Sequence, residues 1–310
     1  MIKNYIRNKL GLFYYYYEKK FFNKDCITIF LFHEISDNPS EFQKKNNIYH
    51  TKSEFNSILV WIKKNFNVVS PLDINKDINN KALITFDDGY LGAFTNAIPI
   101  LENHQMPSIH FLNMRPIIKK EPNIVSKVQY LCLKNKEFKN ELLKINIIKD
   151  EIYQVTPSIY ENCTRNISID KNKIISYQGE LVTEDLLCKY TNNNLVFLGN
   201  HLYDHWNIIN LNENEIKDFY FRNYEYLKKY NNFINYFSFT HGVPKINFNK
   251  KNLEQIRSFN PNYIFFSSGG IDFFENIYDR TFTTMIELNN KTYYYRKLRS
   301  KIFSNIKTLN

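Results

Sequence analysis

Two short stretches hold residues that could do chemistry together. In "KALITFDDGY" (81–90) an apolar run ends in Asp87, Asp88 and Gly89. In "GNHLYDHWN" (199–207) His201 and His205 stand four residues apart. Adjacent carboxylates ~4 Å apart repel by about 1 kcal/mol in water, and by more beside a low-dielectric wall. The pair is therefore either a solvated Asp-Gly turn or the flank of something positive. Imidazoles at this spacing, on a helical turn or a tight loop, aim at one point; otherwise they are solvated or lightly packed. Two neutral imidazoles and one carboxylate make a common metal-ligand set with positions left open for water and substrate. Neighbouring side chains at a strand end project in different directions. One aspartate can join the histidines while the other stands beside a water and takes its proton. A cation there removes the repulsion between the carboxylates and makes water a nucleophile near neutral pH.

These residues follow runs suited to buried strands. "ITIFLF" (27–32) leads to His33, the run 82–86 to the aspartates and "LVFLGN" (195–200) to His201, while "YFSFTHG" (236–242) contains Thr240, His241 and Gly242. "SIHFL" (108–112) and "YIFFSSGG" (263–270) complete the set. Between them lie helical signals. Thr51-Lys52-Ser53-Glu54 is a capping box before a face of Phe55, Ile58, Leu59, Ile62 and Phe66. Residues 93–104, a capped helix from Asn212 with Glu215, and residues near 250–258 follow the same period. Alternating strands and helices predict α/β with a parallel sheet, whose strand C-terminal ends gather ligand-binding residues. Residues 115–182 are polar and mixed, and are expected to be partly helical.

With 310 residues, 43% of them hydrophobic, the chain can bury a sizeable core. Its net charge of +10, from 41 basic and 31 acidic residues, suits an anionic partner. No nucleic-acid motif accompanies that charge, so no nucleic-acid partner is expected. Cys26, Cys132, Cys163 and Cys188 lack the CxxC spacing of a zinc or redox framework and read as ordinary buried or half-buried thiols. Residues 1–24 form a basic amphipathic unit, with Ile2, Ile6, Leu10, Phe13, Tyr17 and Phe21 at helical spacing among lysines and arginines. Two readings stay open for residues 1–22: a helix packed on the flank of the domain, or one lying on an anionic membrane. Charges interrupt the start before any signal-like apolar run, and no stretch is long enough to span a bilayer. The expected location is cytoplasmic, peripheral to the inner face of the membrane under the second reading.

The motifs "FLFHEISD", "ITFDDGY", "NAIPIL", "GNHxxxH" and "FSFTHG" come in the order found in the polysaccharide deacetylase family, carbohydrate esterase family four, and residues 26–285 resemble it. That resemblance implies a distorted (β/α)7, TIM-like barrel over 25–310, with 115–182 as an insertion shaping the cleft. It implies a metal-dependent hydrolase, using Zn2+ or another divalent transition metal, that removes acetyl from an N-acetylated sugar of a cell-surface polysaccharide or glycan precursor. Carried over by position, Asp87 is the general base, Asp88, His201 and His205 are metal ligands, and His33 is the general acid. The loop Thr240, His241 and Gly242 offers a backbone N–H to the oxyanion, and Arg280 in "YDRTF" is the candidate to orient the base. Departures are Leu202, where the family has Ser or Thr, and Thr240-His241, where it has Pro-Tyr. They leave room for a non-catalytic, glycan- or membrane-binding member; an O-deacetylase is a further alternative.

Overall fold

The computed structural model describes residues 2–21, 27–147, 153–271, 273–283 and 289–302. Among these residues seven parallel strands form a closed barrel: β1 (Ile27–Phe32), β2 (Lys81–Asp87), β3 (Ser108–Leu112), β4 (Val196–Asn200), β5 (Phe233–Ser238), β6 (Tyr263–Phe266) and β7 (Ile277–Phe282). Each pairs with its successor, and β1 closes the ring: Ile29 lies opposite Leu83 of β2 and also opposite Arg280 of β7. The expected (β/α)7 barrel is the observed fold. Its distortion includes a register shift between β4 and β5 at Leu198–Asn200.

The strands form because their runs are apolar on both faces, as a parallel sheet covered by helices demands. β1, β3 and β4 are buried at every position. Ile29, Leu83, Ile109, Phe111, Phe197 and Phe265 pack together as the inward alternates of their strands. The outward alternates Phe30, Phe32, Ile84 and Phe86 pack under Phe55, Leu59 and Ile62 of the helix Lys52–Asn65. Full burial of such a side chain stabilises by about 1.5–3 kcal/mol. That helix opens on the Thr51/Glu54 capping box, and Glu213–Leu227 opens on the corresponding Asn212/Glu215 box.

Three departures from the sequence reading have physical reasons. The strand β7 carries Asp279 and Arg280 and so shows no apolar run. Both are buried with partners: the Asp279 carboxylate accepts from the N–H groups of Ser268 and Gly270, at 2.7 and 3.0 Å, and Arg280 pairs with Asp87 of β2. Secondly, β5 starts at Phe233 and ends before Thr240, while β6 stops at Phe266, leaving both Gly-containing tails as loops. Thirdly, the N-terminal helix Ile2–Phe21 packs on a C-terminal helix, Asn290–Ile302, that apolar spacing does not announce.

The described parts of 115–182, residues 115–147 and 153–182, carry helices, among them Ile124–Lys134, Lys136–Lys144, Pro157–Thr164 and Lys171–Gln178. Cys163 is buried and Cys132 half-buried, but Cys188 is exposed, contrary to the expectation for it; Cys26 lies outside the described residues.

Candidate active site

The C-terminal ends of β1, β2, β4, β5 and β7 deliver the predicted residues to one place. Asp87 is the last residue of β2 and shares its pleat direction with Leu83 and Thr85. Asp88 follows it outside the strand with φ +71°, a left-handed conformation that turns its side chain away from Asp87. The two carboxylates therefore meet different partners.

Asp87, only 4% exposed, takes a two-pronged grip from the fully buried Arg280, with both N–O distances 2.6 Å. Arg280 is itself aimed by Ser267 Oγ at 2.8 Å and lies over the Phe111 ring. Burial pushes the Asp87 carboxyl up, but the Arg280 guanidinium outweighs it and holds the net value below the usual range. Charge-assisted, bidentate pairing of this kind fixes orientation as well as ionisation.

Asp88 faces the two histidines. Its Oδ1 lies 3.1 Å from His205 Nε2 and 3.5 Å from His201 Nε2. One ligand atom from each residue of the trio falls within 4.8 Å of the others, and all three residues are buried. His201 Nδ1 lies 2.8 Å from the Ser238 carbonyl, which fixes the proton there and leaves Nε2 as a lone pair. That Nε2 and Asp88 Oδ1 are buried without hydrogen-bond partners. Ligands ~2.0–2.1 Å from a tetrahedral ion stand roughly 3.3 Å apart, and the two Asp88–imidazole distances of 3.1 and 3.5 Å bracket that spacing. The donor set fits a divalent transition ion such as Zn2+. Burial raises Asp88, yet the His205 charge and the imidazole contacts hold it well below the ordinary value. His205 is lowered by burial and raised more by Asp88, ending above its usual value.

The loop carrying the histidines is held from beneath. Leu202 adopts φ +64°, unusual for a bulky residue, and is fully buried beside Trp206 and Ile124. Its N–H donates to Asn200 Oδ1, and Asn113 Nδ2 donates to the carbonyls of both His201 and Leu202. Asn223 Nδ2 in turn donates to Asn200 Oδ1 at 2.8 Å. Three buried amides thus support a loop that lacks the family's hydroxyl. Buried Asp204 adds a further tie, accepting from His205 N–H at 3.0 Å and pairing with Arg115. Sequence reading missed Arg115, Asn113, Asn200, Asn223 and Asp204; of these, only Asn200 and Asp204 fall within the quoted His motif.

His33 follows β1 and is half-buried where Asp88, Asp87, Arg280 and His201 all act on its charge. Burial outweighs the two aspartates and sets it below the ordinary imidazole value, so the resting ring is neutral. The next residue, Glu34, is buried with Oε2 on Gln43 and Oε1 unpartnered; burial raises its pKa to about 7.

The loop after β5 places Thr240 with its hydroxyl on the Trp206 carbonyl, 2.5 Å away. His241, at φ +60°, packs edge-on against the His205 ring at 4.6 Å and also against Tyr153. Gly242 has φ +68°, and a Cβ there would meet Ser267 N at 2.8 Å, so the turn requires glycine. Its N–H is engaged by the Thr240 carbonyl at 2.7 Å. Of the three loop residues, the amides not so engaged are those of Thr240 and His241.

A narrow apolar cavity of about 20 Å³ adjoins the cluster between Ile124, Val128, Val155, Trp206 and His241, with His205 on its wall. A separate polar cleft of about 580 Å³ runs past Glu34, Ser36, Gln43, Asn96, Asn172 and Ser176, and none of the clustered aspartates and histidines lines it. Segment 115–182 supplies walls to both.

No protein-family model matches the chain, and a search of curated proteins finds no match. Solved structures do resemble it. The Streptococcus pyogenes deacetylase PplD, in complex with acetate, superposes with a TM-score of 0.59 at 12% identity, covering 87% of this chain and 97% of that one. BC0361, a polysaccharide deacetylase from Bacillus cereus, gives 0.57 at 11%, covering 88% and 68%. A de-N-acetylase from Aggregatibacter actinomycetemcomitans gives 0.55 at 14%, covering 92% and 100%. At these identities the likeness lies in the backbone, and it agrees with the motif order: the chain has the fold of the polysaccharide deacetylases.

Proposed function

We propose that the protein is a metal-dependent deacetylase that hydrolyses the acetamido group of an N-acetylated sugar in a cell-surface polysaccharide or its precursor. The observation that carries this reading is the convergence of Asp88, His201 and His205 on one point beside an aspartate already fixed by an arginine. Asp88, His201 and His205 would hold a divalent transition ion, which would supply the Lewis acidity that activates water and polarises the carbonyl.

The remaining work falls to the chain. Asp87 Oδ2 lies 3.8 Å from His201 Nε2, close enough to the ligand cluster to accept the proton of an attacking water. Arg280 keeps Asp87 ionised and pointed there, at the cost of lowering its basicity. An amide N–H of Thr240 or His241 serves the oxyanion; one well-aimed donor contributes about 3 kcal/mol to the transition state. His33 is neutral at rest, so it acts as acid toward the departing amine only with a proton delivered during the reaction. The small apolar cavity beside His205 and His241 is of a size for the acetyl methyl. The asparagine support beneath Leu202 favours a working metal site over a binding-only relative.

The test is acetate release from N-acetylglucosamine oligosaccharides by purified protein, with and without chelator. Release that chelator abolishes and zinc restores is expected. No release with any divalent transition ion, from free or lipid-linked oligosaccharide, would overturn the reading.

A further inference from the structure

The charge of +10 is concentrated at the two ends of the chain. Helix Ile2–Phe21 carries Lys3, Arg7, Lys9, Lys19 and Lys20 against Glu18 alone. Helix Asn290–Ile302 carries Lys291, Arg296, Lys297, Arg299 and Lys301 and no acid. Ten basic residues and one acidic leave 31 and 30 for the rest of the chain, which is nearly neutral. The charge therefore belongs to one structural unit, independent of the deacetylase chemistry.

The two helices form that unit by close packing. A Cβ at Gly11 would lie 1.9 Å from the Lys291 carbonyl, so the backbones touch where glycine permits it. Tyr14 is buried, and the Tyr15 ring meets Tyr294 edge-on at 4.9 Å. The C-terminal helix is fastened to the barrel by Tyr293, whose hydroxyl lies 2.7 Å from that of Thr28, and by Arg296, which donates to Thr281 Oγ1 at 2.7 Å and to the Phe282 carbonyl. The pair is anchored to the barrel.

Its outer face is apolar. Ile6, Leu10, Phe13 and Tyr17 recur at helical spacing on the side of the first helix away from its partner, and all are exposed, Phe13 by 70%. Tyr5 and Tyr16 flank the stripe, and Lys9 lies over the Tyr5 ring at 5.0 Å. Lys9 is exposed beside the stripe on the same helix, and Lys291 and Arg299 are exposed on the partner helix. Between the helices, Arg7 Nε is buried with no hydrogen-bond partner. Burial, with the Arg7 charge added to it, brings Arg296 down to about 10. Among the described residues neither Arg7 nor Arg296 pairs with a carboxylate, and like charges so placed mark a spot that an external anion would stabilise.

We propose that this helix pair is a docking surface for an anionic phospholipid bilayer, the stripe from Ile6 to Tyr17 entering the headgroup–acyl boundary and the cations lying over acidic headgroups. Aromatic and aliphatic residues beside a basic face are what an interfacial helix needs. A nucleic acid would engage the cations and leave the stripe in water. Among the described residues no helix is long and apolar enough to cross a membrane, so the contact is with one leaflet.

The experiment is co-sedimentation of the full chain with vesicles of phosphatidylcholine alone or mixed with phosphatidylglycerol. Binding to the anionic vesicles is expected, with loss in high salt. Leu10→Asp/Phe13→Asp should weaken it at least tenfold, and Lys9→Ala/Arg299→Ala by about fivefold per cation removed. As a check that does not depend on the stability of these variants, the Phe13→Trp protein should shift its emission to the blue on adding anionic vesicles, relative to the wild type. Three results would each overturn the proposal: equal binding to both vesicle types, an unshifted emission from the Phe13→Trp protein, or RNA binding as tight as vesicle binding and indifferent to Leu10→Asp/Phe13→Asp.

Discussion

Asp87 and Asp88 are neighbours in sequence, both buried and identical in chemistry, yet the molecule treats them differently. Asp87 meets a complete counter-charge in Arg280, two short bonds from a guanidinium with no solvent exposure. Asp88 meets the ring nitrogens of His201 and His205, and its Oδ1 has no hydrogen bond. The protein supplies the cation for the first carboxylate; under the proposed function the second awaits a metal ion. Glu34 shows what happens with neither: buried with no counter-charge beside it, it rises to about 7. Tyr90 lies between these groups, its pKa raised by burial and by the charges of Asp88 and Glu34. Burial alone would protonate a carboxylate here; the partner decides whether it stays ionised.

Substitutions that break this contrast should differ in kind as well as in size. His201→Ala removes a ligand from the Asp88 side, and deacetylase turnover should fall to background, a loss of ~10³-fold or more, read as acetate release. Asp87→Asn should keep the metal and lose turnover by about 10²–10⁴-fold. It also strands Arg280 without its anion, and breaking such a buried pair typically costs about 3–5 kcal/mol, which a thermal melt will register. Asn113→Ala leaves both aspartates untouched but removes the donor to the His201 and Leu202 carbonyls. Metal affinity should weaken about 10–100-fold, the usual scale for such supports, with the melt changing less than in Asp87→Asn.

Glu34→Gln sharpens the contrast with the smallest effect on turnover. The folded pKa of about 7 lies above the ordinary value of 4.5, so the protonated form favours the folded state. That stability is fully present below about pH 4.5 and is lost as pH rises through 7. The wild type should lose up to roughly 3 kcal/mol over that window. The variant, having nothing to titrate there, should be flatter and more stable at pH 8. Parallel curves for the two proteins in denaturant titrations across the window would remove Glu34 from the account.

How much of this was legible in the sequence follows from the same contrasts. The aspartate and histidine pairs stand out because apolar runs end abruptly in them, and closed parallel barrels put such ends together. The strand β7 was not legible, since its burial depends on Asp279 and Arg280 finding partners 9 to 193 residues away. Arg280 could be offered as a candidate, but nothing local distinguishes it from a surface arginine. The supporting asparagines 113, 200 and 223 are hidden in another way: in a chain so rich in Asn, a residue meant for a buried carbonyl looks like any other. The N-terminal helix was legible as a helix with two readings, packed on the flank or lying on a membrane. The structure packs one face against Asn290–Ile302 and leaves another open to solvent.

The most direct measurement is zinc titration, by calorimetry with elemental analysis, of chelator-stripped wild type and Asp88→Asn. If Asp88 completes its charge with a borrowed ion, the wild type takes up about one equivalent per chain and the variant essentially none. Equal stoichiometry and affinity in the two proteins would mean that the carboxylate facing His201 and His205 holds no metal, and the division between the two aspartates would fall with it.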